Sequence, residues 1–228
     1  MSNVSARIAI VAALPREIQE LVRGVPQDAE LRRRGIHLYR LPKAIVVAAG
    51  MGTARAELAV QAALAEGGVQ LLISTGLAGA CTPALRAGEV AEAGIVVDGQ
   101  SGMRYAADQG SDLVLVSADA IASVREKARL ARNYLCAMVD MEAATVARLA
   151  AVKGLAFRAI KGVSDAHDFE LEGLSQFAGE NGEFRTSAFA LHTALRPGTW
   201  GKAMQLGRNS QRALTALTET LRRLTEQQ

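Results

Sequence analysis

Cysteine is nearly absent from this chain. Cys81 and Cys136 are the only two in 228 residues, too few for a disulfide framework, and neither sits in a CxxC or Cys/His cluster with metal-ligand spacing. His37, His167 and His192 are too dispersed for a metal site, so neither a metal nor a cofactor is expected. Aromatic residues make up 4% of the chain, and 26 basic against 23 acidic residues leave a net charge of only +3. A nucleic-acid binder usually carries a basic stripe with interleaved aromatics, and here the cations are scattered except for Arg32, Arg33 and Arg34. Nucleic acid is therefore set aside as a main partner. No apolar stretch approaches the ~20 residues of a membrane helix. The run from Ile8 to Leu14 is at the short limit for a signal peptide and stops at Pro15, Arg16 and Glu17. A reducing cytoplasm is the expected setting.

Five prolines and no dominant repeat exclude fibrous classes, while 50% hydrophobic residues and a mean hydropathy of +0.12 exclude a disordered chain. A chain of this length buries roughly 70% of its unfolded surface and needs no staple. With no linker or composition shift along it, residues 1–228 read as a single domain.

The pattern is strand alternating with helix, which predicts a three-layer α/β/α sandwich around a central mixed sheet. Arg7 to Leu14 is continuously apolar, as in a strand covered on both faces, and Glu17 to Val22 reads as a helix. Ile36–Leu41 and Ala44–Ala49 suggest a hairpin, followed by an Ala-rich helix from Thr53 to about Glu66. Leu71–Thr75 is a buried strand that Gly76 and Gly79 are expected to break into a loop. Further strands are expected at Val90–Val97, Leu113–Val116, Ala137–Asp140 and Ala156–Gly162, with helices at Val124–Arg132, Glu142–Val152 and Thr199–Arg223. Asp165 to Arg185, without periodicity, reads as a long loop.

Gly50-Met51-Gly52 lies between a strand and a helix, the context of a dinucleotide fingerprint, but the third glycine and the later acidic residue are missing. A tight turn is the better reading. There is no GxxxxGK[ST], HExxH or GxSxG, which removes P-loop, zincin and serine-hydrolase chemistry. Three carboxylates stand out because each follows a strand at its carboxyl end, where α/β sheets build sites: Glu17, Glu142 in Val139-Asp140-Met141-Glu142, and Asp165 in Val163-Ser164-Asp165. On position alone the bland alternatives, a helix terminus for Glu142 and a turn cap for Asp165, are equally good.

At these carboxylates the chain resembles the nucleoside phosphorylase and nucleosidase superfamily, especially the methylthioadenosine/S-adenosylhomocysteine nucleosidases. The resemblance runs from Ile8 to about Phe169 through ordered motifs: Ala12-Ala13-Leu14-Pro15-Arg16-Glu17, Ala49-Gly50-Met51-Gly52, Ser74-Thr75-Gly76-Leu77-Ala78-Gly79, Val116-Ser117-Ala118-Asp119, Val139 to Ala143, and Val163-Ser164-Asp165. It implies a nucleoside-phosphorylase-like fold and an N-ribosyl hydrolase that releases adenine from a 5′-modified adenosine. In this implied site Asp165 protonates the leaving purine, Glu142 holds the ribose hydroxyls, Met141 packs under the sugar and Glu17 activates water. Ala13, Leu77, Gly79, Ile121 and Asp140 are implied around the substrate.

Two departures make that pocket more apolar. Leu77 stands where these nucleosidases commonly carry serine, and Ile121 where an aromatic stacks on adenine. Leu77-Ala78-Gly79, Phe157 to Lys161, Phe184-Arg185-Thr186 and Leu195 to Gly198 look most like the hopanoid-associated branch, which implies adenosylhopane as substrate. Phe169, Leu171, Leu174, Phe177 and Phe184 would either supply an apolar wall or lid, with peripheral membrane contact at most, or simply anchor the loop on the core. A homo-oligomer, dimer or larger, is implied by the family. Two rival readings are a purine nucleoside phosphorylase using phosphate and an inactive nucleoside-binding protein. Against phosphorolysis, the positions that hold phosphate-binding arginines in hexameric relatives match Glu17 and Ser74 here, although Arg16 is adjacent.

Overall fold

The computed structural model describes residues 7–170 and 200–226. Its strands are β1 (Arg7–Ala12), β2 (His37–Arg40), β3 (Ala44–Ala48), β4 (Val69–Ser74), β5 (Leu77–Ala80), β6 (Val90–Asp98), β7 (Arg104–Ala106), β8 (Ser111–Ser117), β9 (Met138–Asp140) and β10 (Ala156–Asp165). The helices are α1 (Pro15–Ile18), α2 (Ala29–Arg33), α3 (Thr53–Ala65), α4 (Val124–Tyr134), α5 (Ala143–Lys153) and α6 (Trp200–Glu226). The strands form one mixed sheet in the order β2-β3-β1-β4-β10-β5-β9-β8-β6-β7.

Alternation along the central strands builds two apolar layers. On β1, Ile8, Ile10 and Ala12 face Ile18, Leu217 and Leu221, while Ala9 and Val11 face Ala59, Val60 and Ala63 of α3. Small residues on α3 and on α5, where Ala143, Ala144, Val146, Ala147 and Ala150 are buried, let both helices lie close on the sheet. The sandwich expected from the sequence is present, with helices on both faces.

The sheet is not simply open. β10 is long enough to pair in parallel with β4 and β5 and antiparallel with β6, so β10, β5, β9, β8 and β6 close into a five-stranded ring. Gly162 lets α6 lie close on β10: a Cβ there would meet Ala213 of α6 at 3.0 Å. Ring closure also corrects the expected loop after β4. Gly76, at φ +112°, turns the chain, but Leu77–Ala80 then resumes as a strand because β10 and β9 both offer it backbone partners. The first helix is shorter than expected, four residues from Pro15, and β10 runs on past Gly162 to Asp165. Two short elements, α2 and β7, carry no clear sequence signal. Of the expected loop and apolar lid, residues 171–185 lie outside the described residues.

Candidate active site

A cavity of about 460 Å³ opens where β1, β5, β9 and β10 end, walled by α4 and by the first half of α6. Glu17, Glu142 and Asp165 all line it, and so do Ala13, Leu77, Gly79, Ile121, Asp140 and Met141. Every residue expected at the site from the sequence is therefore brought to one place. Among the described residues no group of three His, Cys, Asp or Glu side chains could hold a metal ion, and Cys81 and Cys136 are free and buried.

Glu17 is buried and its carboxylate is held by backbone. Oε2 accepts from the amides of Ala13 (3.1 Å) and Leu14 (2.9 Å), and Oε1 from the amide of Leu77 (3.1 Å). Pro15 at the first position of α1 and Gly76 make room for this. A Cβ at residue 76 would stand 2.7 Å from Glu17 Oε2. Three donors fix the carboxylate in one orientation.

Glu142 does not serve the helix it precedes. Its Oε1 accepts the amide of Gly52 at 2.7 Å, so the Gly50-Met51-Gly52 turn supplies a donor to a carboxylate rather than to a nucleotide phosphate. The start of α5 is capped by others, Ala143 N–H donating to Asp140 Oδ2 (3.0 Å) and Ala144 N–H to Ser117 Oγ (2.8 Å). Burial, together with the neighbouring Asp140 carboxylate, pushes Glu142 up to about 8, against the opposing pull of Lys161 and the Gly52 amide.

That position has a measurable consequence. A carboxyl whose folded value lies above its unfolded 4.5 keeps a proton the unfolded chain has released, so stability is full below about 4.5 and is lost as pH rises toward 8. Wild-type melting temperature should fall from pH 5 to pH 8 more steeply than that of Glu142→Gln, which stays neutral throughout. Parallel melting curves across that range would refute the assignment.

Asp140 differs from its expected role as a substrate contact. Its side chain is fully enclosed, with Oδ1 accepting from Ser117 Oγ (2.6 Å) and Oδ2 2.8 Å from Lys161 Nζ. Lys161, equally buried, also donates to Ser74 Oγ (2.9 Å) and Thr75 O (3.0 Å). Asp140 borders the cavity, and its carboxylate is taken up by Ser117, Lys161 and the Ala143 amide. Ser74 Oγ is likewise taken up by Lys161.

Asp165 meets a cation that the sequence did not announce. Lys127, from α4, places Nζ against Asp165 Oδ2, while Ser164 Oγ donates to Oδ1. The signal available was scarcity. Of the 26 cations only 5 are lysines, and two of these, Lys127 and Lys161, are buried beside the site. The rest of the lining is mostly apolar, with Leu77, Ala120, Ile121, Ala122, Ala203, Leu206 and Leu214, interrupted by Arg16, Gln19, Glu20, Ser210, Gln211 and Thr218.

A family model described as the phosphorylase superfamily matches residues 7–108 and 111–194. Among solved structures, the 5′-methylthioadenosine nucleosidase of Arabidopsis thaliana superposes with a TM-score of 0.73 at 18% identity, over 96% of this chain and 94% of that one. The Helicobacter pylori 5′-methylthioadenosine/S-adenosylhomocysteine nucleosidase, solved with butyl-thio-DADMe-Immucillin-A, gives 0.71 at 16% identity over 98% and 99%. The futalosine hydrolase of H. pylori gives 0.67 at 17% identity over 97% and 100%. No curated protein sequence matches the chain significantly.

Proposed function

The chain belongs to the phosphorylase superfamily, and from that premise we propose that it is an N-ribosyl hydrolase removing adenine from a 5′-modified adenosine. The observation that carries this reading is the convergence of Glu17, Glu142 and Asp165 on one cavity with the supports described above. Breaking a bond from ribose to purine develops positive charge on the sugar and negative charge on the base. A proton donor at the base and a proton acceptor at the attacking water act on charges that grow in the transition state.

In this reading Asp165 protonates the base, Glu142 takes the ribose hydroxyls and Met141 packs under the sugar. Glu17 accepts the proton of the attacking water. In this reading the enzyme is a homo-oligomer that uses no metal and works in the cytoplasm. No helix among the described residues is long and apolar enough to cross a membrane.

The apolar wall supports a hydrocarbon-rich 5′ group, of which adenosylhopane is an extended example. Burying apolar ligand surface there is favourable by roughly 25 cal/mol per Å². Kinetic comparison of adenosine, methylthioadenosine, S-adenosylhomocysteine and an adenosine with a bulky 5′ hydrocarbon should show the highest kcat/KM for the last. A clear preference for zwitterionic S-adenosylhomocysteine would overturn the apolar reading.

One observation favours a second reading. Arg16 also lines the cavity, as a phosphate site would need. A carboxylate beside phosphate repels it, however, whereas beside water it can take a proton. In phosphate buffer the product should be free ribose derivative, and accumulation of a ribose-1-phosphate derivative would establish phosphorolysis instead. An inactive nucleoside binder would release no adenine at all.

A further inference from the structure

Lys127 is an expensive residue for its place. Its side chain is 3% exposed, and a buried ammonium costs several kcal/mol unless it is paired and hydrogen-bonded. Nothing in α4 requires it there, since the helix is anchored by Leu130 and capped by Ser123, whose Oγ accepts the amide of Glu126 at 3.2 Å. Its ammonium is directed at the end of β10, where Nζ meets Asp165 Oδ2 and donates to Ala166 O at 2.9 Å.

The surroundings are fitted to that contact. Gly79 leaves the space, since a Cβ there would come within 3.1 Å of Lys127 Cε and 3.2 Å of Asp165 Oδ2. The start of α4 is tied to the segment after β10, the Val124 amide donating to Glu170 Oε2 at 3.1 Å. Lys127 lies within one turn of that tie, so its position relative to Asp165 is set from both sides.

We propose that Lys127 is a positioning residue for departure of the base: it holds Asp165 toward the cavity and meets the carboxylate left after the proton has gone. The proposal rests on the N-ribosyl hydrolase reading. In the step concerned, the bond from C1′ to the base nitrogen breaks with its electron pair going to the purine. The proton on the Asp165 carboxyl moves to a purine nitrogen, water oxygen bonds to C1′, and a water proton passes to Glu17. Asp165 thus gains negative charge as the base departs, and an ammonium in contact stabilises that charge as it forms. A merely structural ion pair would be indifferent to which base leaves.

The leaving group therefore separates the two. A purine nucleoside methylated at N7 carries its positive charge already and expels a neutral base without taking a proton. Lys127→Met should lower kcat on the 5′-modified adenosine by about 10²-fold. Its loss on the N7-methylated counterpart should be at least about tenfold smaller, with KM little changed on either. Lys127→Gln, which keeps the length and a donor without the charge, should show the same contrast and serves if the Met variant folds poorly. Equal losses on both substrates would overturn the positioning role and leave the hydrolase reading standing. Absence of base release from either substrate with the wild-type protein would overturn the hydrolase reading, and this inference with it.

Discussion

Asp165→Asn should fold, bind its nucleoside nearly as well as the wild type, and lose on the order of 10² or more in kcat. The substitution preserves shape and both contacts. The amide oxygen can accept from Lys127, and the amide nitrogen can donate to Ser164 Oγ, which also lies 3.2 Å from Ala78 O. Asp165 is only partly enclosed, its side chain 19% exposed, so the exchange opens no cavity and leaves Lys127 a neutral oxygen as partner. What disappears is the transferable proton. Rapid-quench measurement of adenine release, with ligand affinity from a substrate analogue, separates the two effects. Undiminished single-turnover release would remove Asp165 from the mechanism.

Glu17→Gln should be the more damaging change, because it removes the base and disturbs the fold around it. Three amides converge on two carboxylate oxygens, and a glutamine offers only one oxygen. Whichever way the amide turns, its NH2 faces a backbone donor, either Leu77 or the pair Ala13 and Leu14. A buried donor left without a partner costs about 1–3 kcal/mol. A lower melting temperature should accompany a fall in hydrolysis of about 10²- to 10⁴-fold, the usual contribution of a general base. A variant that hydrolyses within tenfold of wild type would show that water is activated elsewhere in the cavity.

How much of this was legible in the sequence follows the range of the interactions. β1, β3, α3 and α6 announce themselves through local apolar patterning, and the ordered motifs contain eight of the nine expected residues that line the cavity, Ile121 standing just outside them. From sequence β5 reads as a loop, because Gly76 and Gly79 are strong local breakers. What makes it a strand is pairing with β10, more than 80 residues away, where Gly162 aligns with Leu77. Asp140 was placed among substrate contacts by its neighbours in sequence, yet Lys161 and Ser117 claim its carboxylate. Lys127 was invisible for the opposite reason. It sits in a charged helical stretch, Val124-Arg125-Glu126-Lys127, that reads as a solvated face, and only the path of β10 turns one of those cations inward.

The closure of the five-stranded ring by β10 also dictates an order of events during synthesis. Until residues 156–165 have emerged, β4 lacks its neighbour on one side and β5 and β6 each lack one partner, exposing strand edges on an apolar intermediate. At about 5–20 residues per second, some seconds of elongation separate completion of β6 from arrival of β10. Glu17 and Glu142 are already in the nascent chain by then, without the strand that brings Asp165 to them. Ribosome stalling or truncation just before Ala156 would therefore release a product inclined to pair edge to edge with its own kind.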